Sequence, residues 1–469
     1  MSDTAGPGGR PDVPPVVPPG RWANGLDPAE LDEPRAAACW AIERVLAASE
    51  PLDSAWSRLA ALGSERDRAF AHRLITETLR WLLRLDFVLE RLSGRRIDQI
   101  DPILLSPLRL GTVQLLFFDR VPDHAAVSTA VGLAAGRSRR GGGVVNAVLR
   151  KVADRGRSVR FDLDDPLDRL AVETSHPRFL VERWTRRFGE KRTRSLLEAN
   201  NRDRRPALLV VGGRERRETV RQRLLDAGVR TEPSELSPLG LLVEEGSPLD
   251  TDLWPAGEIY PQDEASQVAA LVPPPTAGER ILDVAAAPGG KTLALLAWEP
   301  RLDIVAADGT VARLPRLLAN RRRTGSGFAL VAADARHPAL HAGFDRVVVD
   351  LPCTGTGTLR KHPELKWRIT AEEIDRLVAL GAEILDGAAG LVRQGGLLVV
   401  ITCSLEREEN EGQAEAFLDR HPDFGTARLE ERLPSSWSRF LETPSLWRIL
   451  PAADHDGFTV SVMRRDPEG

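Results

Sequence analysis

Three cysteines in 469 residues are too few for a disulfide framework and fit a chain kept in a reducing compartment. No stretch approaches the roughly 18 apolar residues of a membrane helix. A cytoplasmic protein with no membrane partner is therefore expected. The first twenty residues, MSDTAGPGGRPDVPPVVPPG, lack the basic start and apolar centre of a signal peptide. Residues 1–33 read instead as a disordered Pro/Gly-rich tail. The net charge of −4 argues for no particular partner. Lysine is scarce, five residues against 59 arginines. Arginine suits bidentate phosphate contacts and base stacking, but codon bias produces the same excess, and composition leaves both open. No internal repeat is visible.

Hydrophobic content of 42% is enough for ordinary cores, and the length gives a soft expectation of about three domains. Residues 34–156 are helical throughout. Ala36–Ala48 is Ala-rich and amphipathic, and Asp67–Leu92 carries Phe70, Leu74, Leu79, Leu82, Leu85 and Leu89 at helical spacing. Pro107–Phe118 is nearly all apolar and so belongs at the centre of a bundle. His124–Arg137 and Gly142–Ala153 complete an all-α domain. Arg137, Arg139, Arg140, Arg150 and Lys151 collect near its end, as a solvated face or an RNA contact. Residues 157–265 are mixed α+β, with further basic clusters at Arg183–Arg194 and at Arg202, Arg204 and Arg205. Such succession favours nucleic acid. From 266 to 469 strands and helices alternate: 281–286, 303–308, 328–334, 346–350 and 397–403 read as strands with helices between them. An antiparallel pair follows near Trp447–Leu450 and Phe458–Met463. This is an α/β, Rossmann-like, doubly wound sheet.

Chemistry concentrates at the C-terminal ends of those strands, where ligands bind in such sheets. The first strand runs into Asp283-Val284-Ala285-Ala286-Ala287-Pro288-Gly289-Gly290-Lys291-Thr292 and then a helix. Small residues admit a ligand to the backbone, and the helix N-terminus offers free N–H groups. The pattern is neither G-x-G-x-x-G nor a P-loop. Asp308, Asp334 and Asp350 then end successive strands. Carboxylates in such a row suit a ribose diol, an exocyclic amine and a positive centre, all present in S-adenosyl-L-methionine. Asp308 is expected at the ribose hydroxyls. Cys39 reads as a small buried hydrophobe, whereas Cys353 and Cys403 sit at strand ends. A thiol is useful where the methyl acceptor is carbon 5 of a pyrimidine. Adding a thiolate at carbon 6 makes an enamine whose carbon 5 is nucleophilic. The thiolate needs activation, and the ring nitrogen needs a proton or hydrogen bond.

The stretches AAAPGGKT, DLPCTGTGTLRKHPELKW, ITCSLEREEN and YPQDEASQ together resemble the RNA 5-methylcytosine methyltransferases of the NOL/NOP/Sun group. RDRAFAHRLITETLRW, LRLGTVQLLFFDRVPDHAAV and VNAVLRK resemble the NusB-like helical domain fused to the bacterial 16S ribosomal RNA members of that group. The resemblance covers about residues 35–465. It implies a seven-stranded methyltransferase domain, a NusB-like bundle and a small linker domain. It makes Cys403 the nucleophile at carbon 6, Cys353 the thiol that assists breakdown of the adduct, and Asp350 the acid at the ring nitrogen. Ala285, Ala286, Ala287, Pro288, Gly289, Gly290 and Lys291, with Asp308, Asp334 and Asp350, would hold S-adenosylmethionine. RNA is the expected partner, 16S ribosomal RNA first; no metal is expected, and a monomer is. Ala285 stands where the family usually has Cys, and Thr354 where relatives often have Ser. The same chemistry on transfer RNA, or a non-catalytic RNA-binding assembly or antitermination factor, are the competing readings.

Overall fold

A computed structural model describes residues 27–59, 61–203 and 205–467. Positions 1–26 of the expected tail, and Arg204, lie outside these residues. The chain forms two units: the residues up to Asn201 with Leu359–Arg368, and Arg202–Thr358 with Ile369–Gly469. The division therefore falls inside the 157–265 stretch.

The first unit is helical. Pro34–Ala47 begins where the Glu33 carboxylate accepts from Ala36 N, with proline in its first turn. Glu65–Arg80 begins at Ser64, whose hydroxyl accepts from Asp67 N at 3.0 Å. The single helix expected over 67–92 is two, Glu65–Arg80 and Leu82–Ser93, interrupted at Trp81. Its indole stacks on Phe117 with centroids 4.8 Å apart, a tertiary contact that helical periodicity does not report. Pro102–Phe117 is buried continuously from Leu104 to Leu115, as its apolar run implied. Its one buried cation, Arg109, forms a bidentate pair with Asp86, both bonds 2.8 Å. Arg137 is not a surface charge. Its buried guanidinium pairs with Glu43 and bonds the Cys39 sulfur, so it takes no part in a basic face. Cys39 is fully buried, its thiol pushed up to about 12 mainly by desolvation.

Leu359–Arg368 folds as part of this helical unit although it is far away in sequence. Trp367 Nε1 donates to Leu79 O at 2.6 Å, and Lys366 Nζ to Arg80 O and Ser175 O at 2.7 and 2.6 Å. Both acceptors lie at helix C-terminal ends, where carbonyls have no partner within the helix.

The second unit contains two sheets. Strands β1 (Ala207–Val210), β2 (Arg230–Pro233), β3 (Gly240–Glu245) and β4 (Ile259–Pro261) form an antiparallel sheet in the order β2-β3-β1-β4. β1 and β3 are apolar and were legible; β2, RTEP, and the three-residue β4 carry no strand signal of their own. The larger sheet uses β5 (Arg280–Val284), β6 (Asp303–Asp308), β7 (Ala329–Ala332), β8 (Phe344–Asp350), β9 (Val392–Thr402), β10 (Phe424–Thr426), β11 (Leu441–Thr443), β12 (Leu446–Ile449) and β13 (Phe458–Arg465). Seven strands run in the order β7-β6-β5-β8-β9-β13-β12. The short β11 extends the β12 edge, and β10 pairs with β13. β5 to β9 are parallel, while β13 is antiparallel to β9. The parallel core is covered on both faces: Ile281, Val348, Val399 and Ile401 pack on one side, and Leu282, Val347, Val349 and Val400 on the other. This accounts for unbroken apolar strands without alternation. The strand order reverses at β5, between β6 and β8, which sets a crevice beyond the C-terminal ends of these three strands.

Candidate active site

Register explains why the two thiols meet. β8 and β9 are neighbours, with Asp350 opposite Ile401, and Leu351 N donates to Ile401 O at 2.9 Å. Cys353 is three residues beyond Asp350 and Cys403 two beyond Ile401. Their sulfurs are 3.6 Å apart, both partly buried. The loops are joined again at Gly357, whose N–H donates to Cys403 O at 2.8 Å. A Cβ at Gly357 would come 2.4 Å from Gly457 O and 2.9 Å from Cys403 O, so glycine is required for this approach. The hydrogen bond to Cys403 and burial hold the Cys353 pKa well above the usual thiol value, with the charges of Cys403 and Glu409 acting the same way.

Asp350 lies at the end of β8 and accepts from Lys291 Nζ at 2.5 Å. Burial works against the Lys291 charge, but Asp350 outweighs it and holds the lysine pKa above its ordinary value. Lys291, expected only in the cofactor loop, thus also holds Asp350. The ammonium also lies 5.9 Å from the centre of the Phe458 ring.

The Ala285–Lys291 loop turns sharply. Ala285 has φ +62° and Gly289 +107°, and the helix Gly290–Trp298 starts with no side-chain cap. Its first N–H groups are thus free for an anion. Asp308 organises the same loop: Oδ2 accepts from Ala287 N at 3.1 Å and Oδ1 from Thr310 N at 2.8 Å. Each oxygen keeps a second lone pair for a ligand hydroxyl. Asp334 is placed differently from the row imagined for it. It lies two residues past β7, exposed, in a bidentate pair with Arg336 that pulls its carboxyl down to about 2. Asp308 and Asp350 terminate their strands; Asp334 does not.

Two polar groups near the loop were not singled out from sequence. Asp283 is fully buried at the end of β5. Its Oδ2 accepts from Thr292 Oγ1 at 2.5 Å, while Oδ1 has no partner among the described residues. Desolvation raises its pKa to about 6. Gln262, from the YPQDEASQ stretch, likewise has an unpartnered buried Oε1, and its side chain lies about 3.2 Å from where a Gly290 Cβ would be. A free helix N-terminus beside orphaned acceptors fits a group carrying both a carboxylate and an ammonium, as the methionine end of S-adenosylmethionine does.

The linker arginines are partly engaged within the protein. Arg205 pairs with Glu232 at 2.8 Å and Asp454 at 3.0 Å, whereas Arg202 is exposed. Among the described residues no helix is long and apolar enough to cross a membrane.

Three family models match the chain: 16S rRNA methyltransferase RsmB/F over residues 270–464, the NusB family over 32–154, and a Methyltr_RsmF/B-like ferredoxin-like domain over 176–250. The chain is 33% identical over 442 residues to the ribosomal RNA small subunit methyltransferase B of Vibrio cholerae, covering 92% of this chain and 97% of the relative. It is 35% identical over 397 residues to the protein of that name from Pseudomonas syringae, covering 82% and 87%. The crystal structure of PH0851 superposes with a TM-score of 0.75 at 26% identity, covering 94% of this chain and 99% of that one.

Proposed function

The chain belongs to the RsmB/F family of ribosomal RNA methyltransferases, and from that premise we propose that it methylates carbon 5 of a cytosine in 16S ribosomal RNA through a covalent cysteine adduct. The observation that carries this reading is the pair of thiols 3.6 Å apart beside the Lys291–Asp350 ion pair. Methylation of an exocyclic amine or a hydroxyl needs no thiol; carbon 5 of a cytosine, too weak a nucleophile until the ring is converted to an enamine, does.

Cys403, as thiolate, adds to carbon 6 of the cytosine. The new S–C6 bond sends the ring electrons towards carbon 5 and the ring nitrogen. Asp350 would face the pyrimidine edge where charge develops and, taking the proton that Lys291 holds against it, pass that proton to the ring nitrogen as the S–C6 bond forms. S-adenosylmethionine, the methyl donor of this family, supplies an electrophilic methyl group on a sulfonium. The Ala285–Lys291 loop and Asp308 would hold it. Carbon 5 takes the methyl, its hydrogen leaves as a proton, and the S–C6 electrons return to Cys403. Cys353 serves this last stage. While Cys403 carries negative charge, the proton stays on Cys353. Once Cys403 is bonded to carbon 6 that charge is gone, and Cys353, its own proton passed to water, can take as thiolate the proton that carbon 5 gives up.

The two thiols therefore differ in kind. Cys403→Ala should abolish both methyl transfer and any covalent RNA species. Cys353→Ala should accumulate an RNA–protein adduct that survives denaturing electrophoresis, dependent on S-adenosylmethionine for its methylated form. Loss of activity in both without an adduct in either would remove the covalent mechanism.

A further inference from the structure

Neither loop bearing a thiol is regular structure at the thiol itself, yet both are held on the far side by one dipeptide, Glu409-Asn410, which precedes the helix Glu411–Arg420. Glu409 grips the Cys353 loop. Its Oε1 accepts from Thr354 N at 2.8 Å and its Oε2 from Thr354 Oγ1 at 2.6 Å. Thr354 N belongs to the peptide bond that leaves Cys353, so Glu409 fixes the plane of that bond. Asn410 grips the Cys403 loop from both sides of the cysteine. Its Oδ1 accepts from Thr402 Oγ1, and its Nδ2 donates to Ser404 O at 3.0 Å and Glu406 O at 2.7 Å. Glu409 and Asn410 are each 3% exposed. Burial of a carboxylate and an amide is costly unless every bond is made. Here the bonds go to the backbone and hydroxyls flanking the reacting sulfurs.

We propose that Glu409 and Asn410 are positioning residues for the two-thiol reaction, Glu409 acting through Cys353 and Asn410 through Cys403, so that adjacent residues serve different steps. The proposal rests on the covalent reading given above and assigns functions that reading leaves open. Because the two share one backbone segment, that segment ties the two loops together on the far side, in addition to the bond from Gly357 N to Cys403 O. Ser404 Oγ, 3.3 Å from both Thr354 Oγ1 and Thr356 Oγ1, closes the network between them. A displacement of about 1 Å in such a site costs on the order of 100-fold in rate.

The test uses the full chain, in-vitro-transcribed 16S ribosomal RNA and S-adenosylmethionine, with Cys353→Ala and Cys403→Ala alongside. Glu409→Ala should slow turnover by about 100-fold and accumulate denaturation-resistant adduct, as Cys353→Ala does. Glu409→Gln, whose amide oxygen still accepts from Thr354 N, should recover most of the release. Asn410→Ala should slow turnover comparably but form no adduct, as Cys403→Ala does. A second readout needs no RNA: iodoacetamide labelling resolved by peptide mass. The titratable groups facing Cys353 are Cys403 and Glu409. Glu409→Gln removes one negative charge, so the pH profile of Cys353 labelling should move to lower pH while Asn410→Ala leaves it in place. Identical phenotypes for the Glu409 and Asn410 variants in both assays, or adduct from Asn410→Ala and none from Glu409→Ala, would overturn the assignment. If Cys353→Ala and Cys403→Ala both lose activity and neither traps an adduct while the wild type methylates, the covalent reading fails instead, and the labelling profiles still report on the positioning.

Discussion

Adding one methyl group at Gly357 tests whether close approach of the two loops matters. The Cβ of Gly357→Ala would sit 2.4 Å from Gly457 O, 2.9 Å from Gly457 C and 2.9 Å from Cys403 O. Relaxed carbon–oxygen contacts are about 3.3–3.6 Å. The strand β13 side must therefore yield by about 1 Å, or the Cys403 carbonyl by about half that. Both neighbours are backbone, so no rotamer change relieves the clash, and the 2.8 Å bond from Gly357 N to Cys403 O is stretched with them. Overpacking of this kind costs about 1–3 kcal/mol of stability. The effect on rate should be near 100-fold, about 2.7 kcal/mol and so at the upper end of that range, because the thiol contact moves. Single-turnover transfer of radiolabelled methyl to RNA measures the rate, and calorimetric titration with S-adenosylhomocysteine should show unchanged affinity, since the Ala285–Lys291 loop makes none of these contacts. Gly390→Ala is the control: it makes the same change where nothing lies within 4 Å. A Gly357→Ala enzyme with a rate within twofold of wild type would refute the claim that this approach holds Cys403.

Lys291→Met should lower the single-turnover rate about tenfold and leave RNA binding intact. The value is the low end for a charge-assisted bond because the Asp350 side chain is 36% exposed. Asp308→Ala should weaken S-adenosylmethionine binding by roughly 1.5–3 kcal/mol in calorimetry, since it removes the acceptor for Ala287 N and Thr310 N as well as any ribose contact; an unchanged affinity would take Asp308 out of the cofactor site. Lys366 provides a pH test of the helical unit. Burial, then the nearby Arg80, push its pKa well below the ordinary lysine value, and a neutral amine has two N–H donors for its two carbonyl acceptors. The unfolded chain then binds the extra proton, so stability should rise with pH, by at most about 1.4 kcal/mol per unit, up to the unfolded value near 10.4. Thermal unfolding at pH values just below that unfolded value should show this slope in the wild type and lose it in Lys366→Met.

The parts of the fold that were legible in the sequence share a cause. β8 and β9 are buried on both faces, so their strings of Val, Ile and Leu need no tertiary information to be read as strands. The apolar helix Pro102–Phe117 is recognisable for the same reason. What was missed depends on partners distant in sequence. Trp81, where one helix ends and the next begins, stacks on Phe117, 36 positions away. Arg137 looks like one of five surface cations, but it is neutralised by Glu43, 94 positions earlier. β2 is a strand because β3 pairs with it, not because RTEP prefers to be one.

At the site the same distinction separates residues from their roles. Cys353 and Cys403 could be placed at strand ends by counting, and the register of β8 on β9 explains why those ends adjoin. The row of acids was only partly right. Asp308 and Asp350 end strands whose lengths match their apolar runs, but β7 stops at Ala332 and leaves Asp334 to a local arginine two residues on. A carboxylate with Arg at i+2 carries this alternative in the sequence itself, and the pair could have been weighed against a ligand role. Glu409 gave no comparable sign. Within EREEN it is one acid among three, and exposed acids before a helix are ordinary. Only the fold shows that this one, like Glu406, is buried, and that it is turned towards the peptide following Cys353. A charge run thus conceals its buried members until the fold is known, and a buried carboxylate is the member whose desolvation needs a reason.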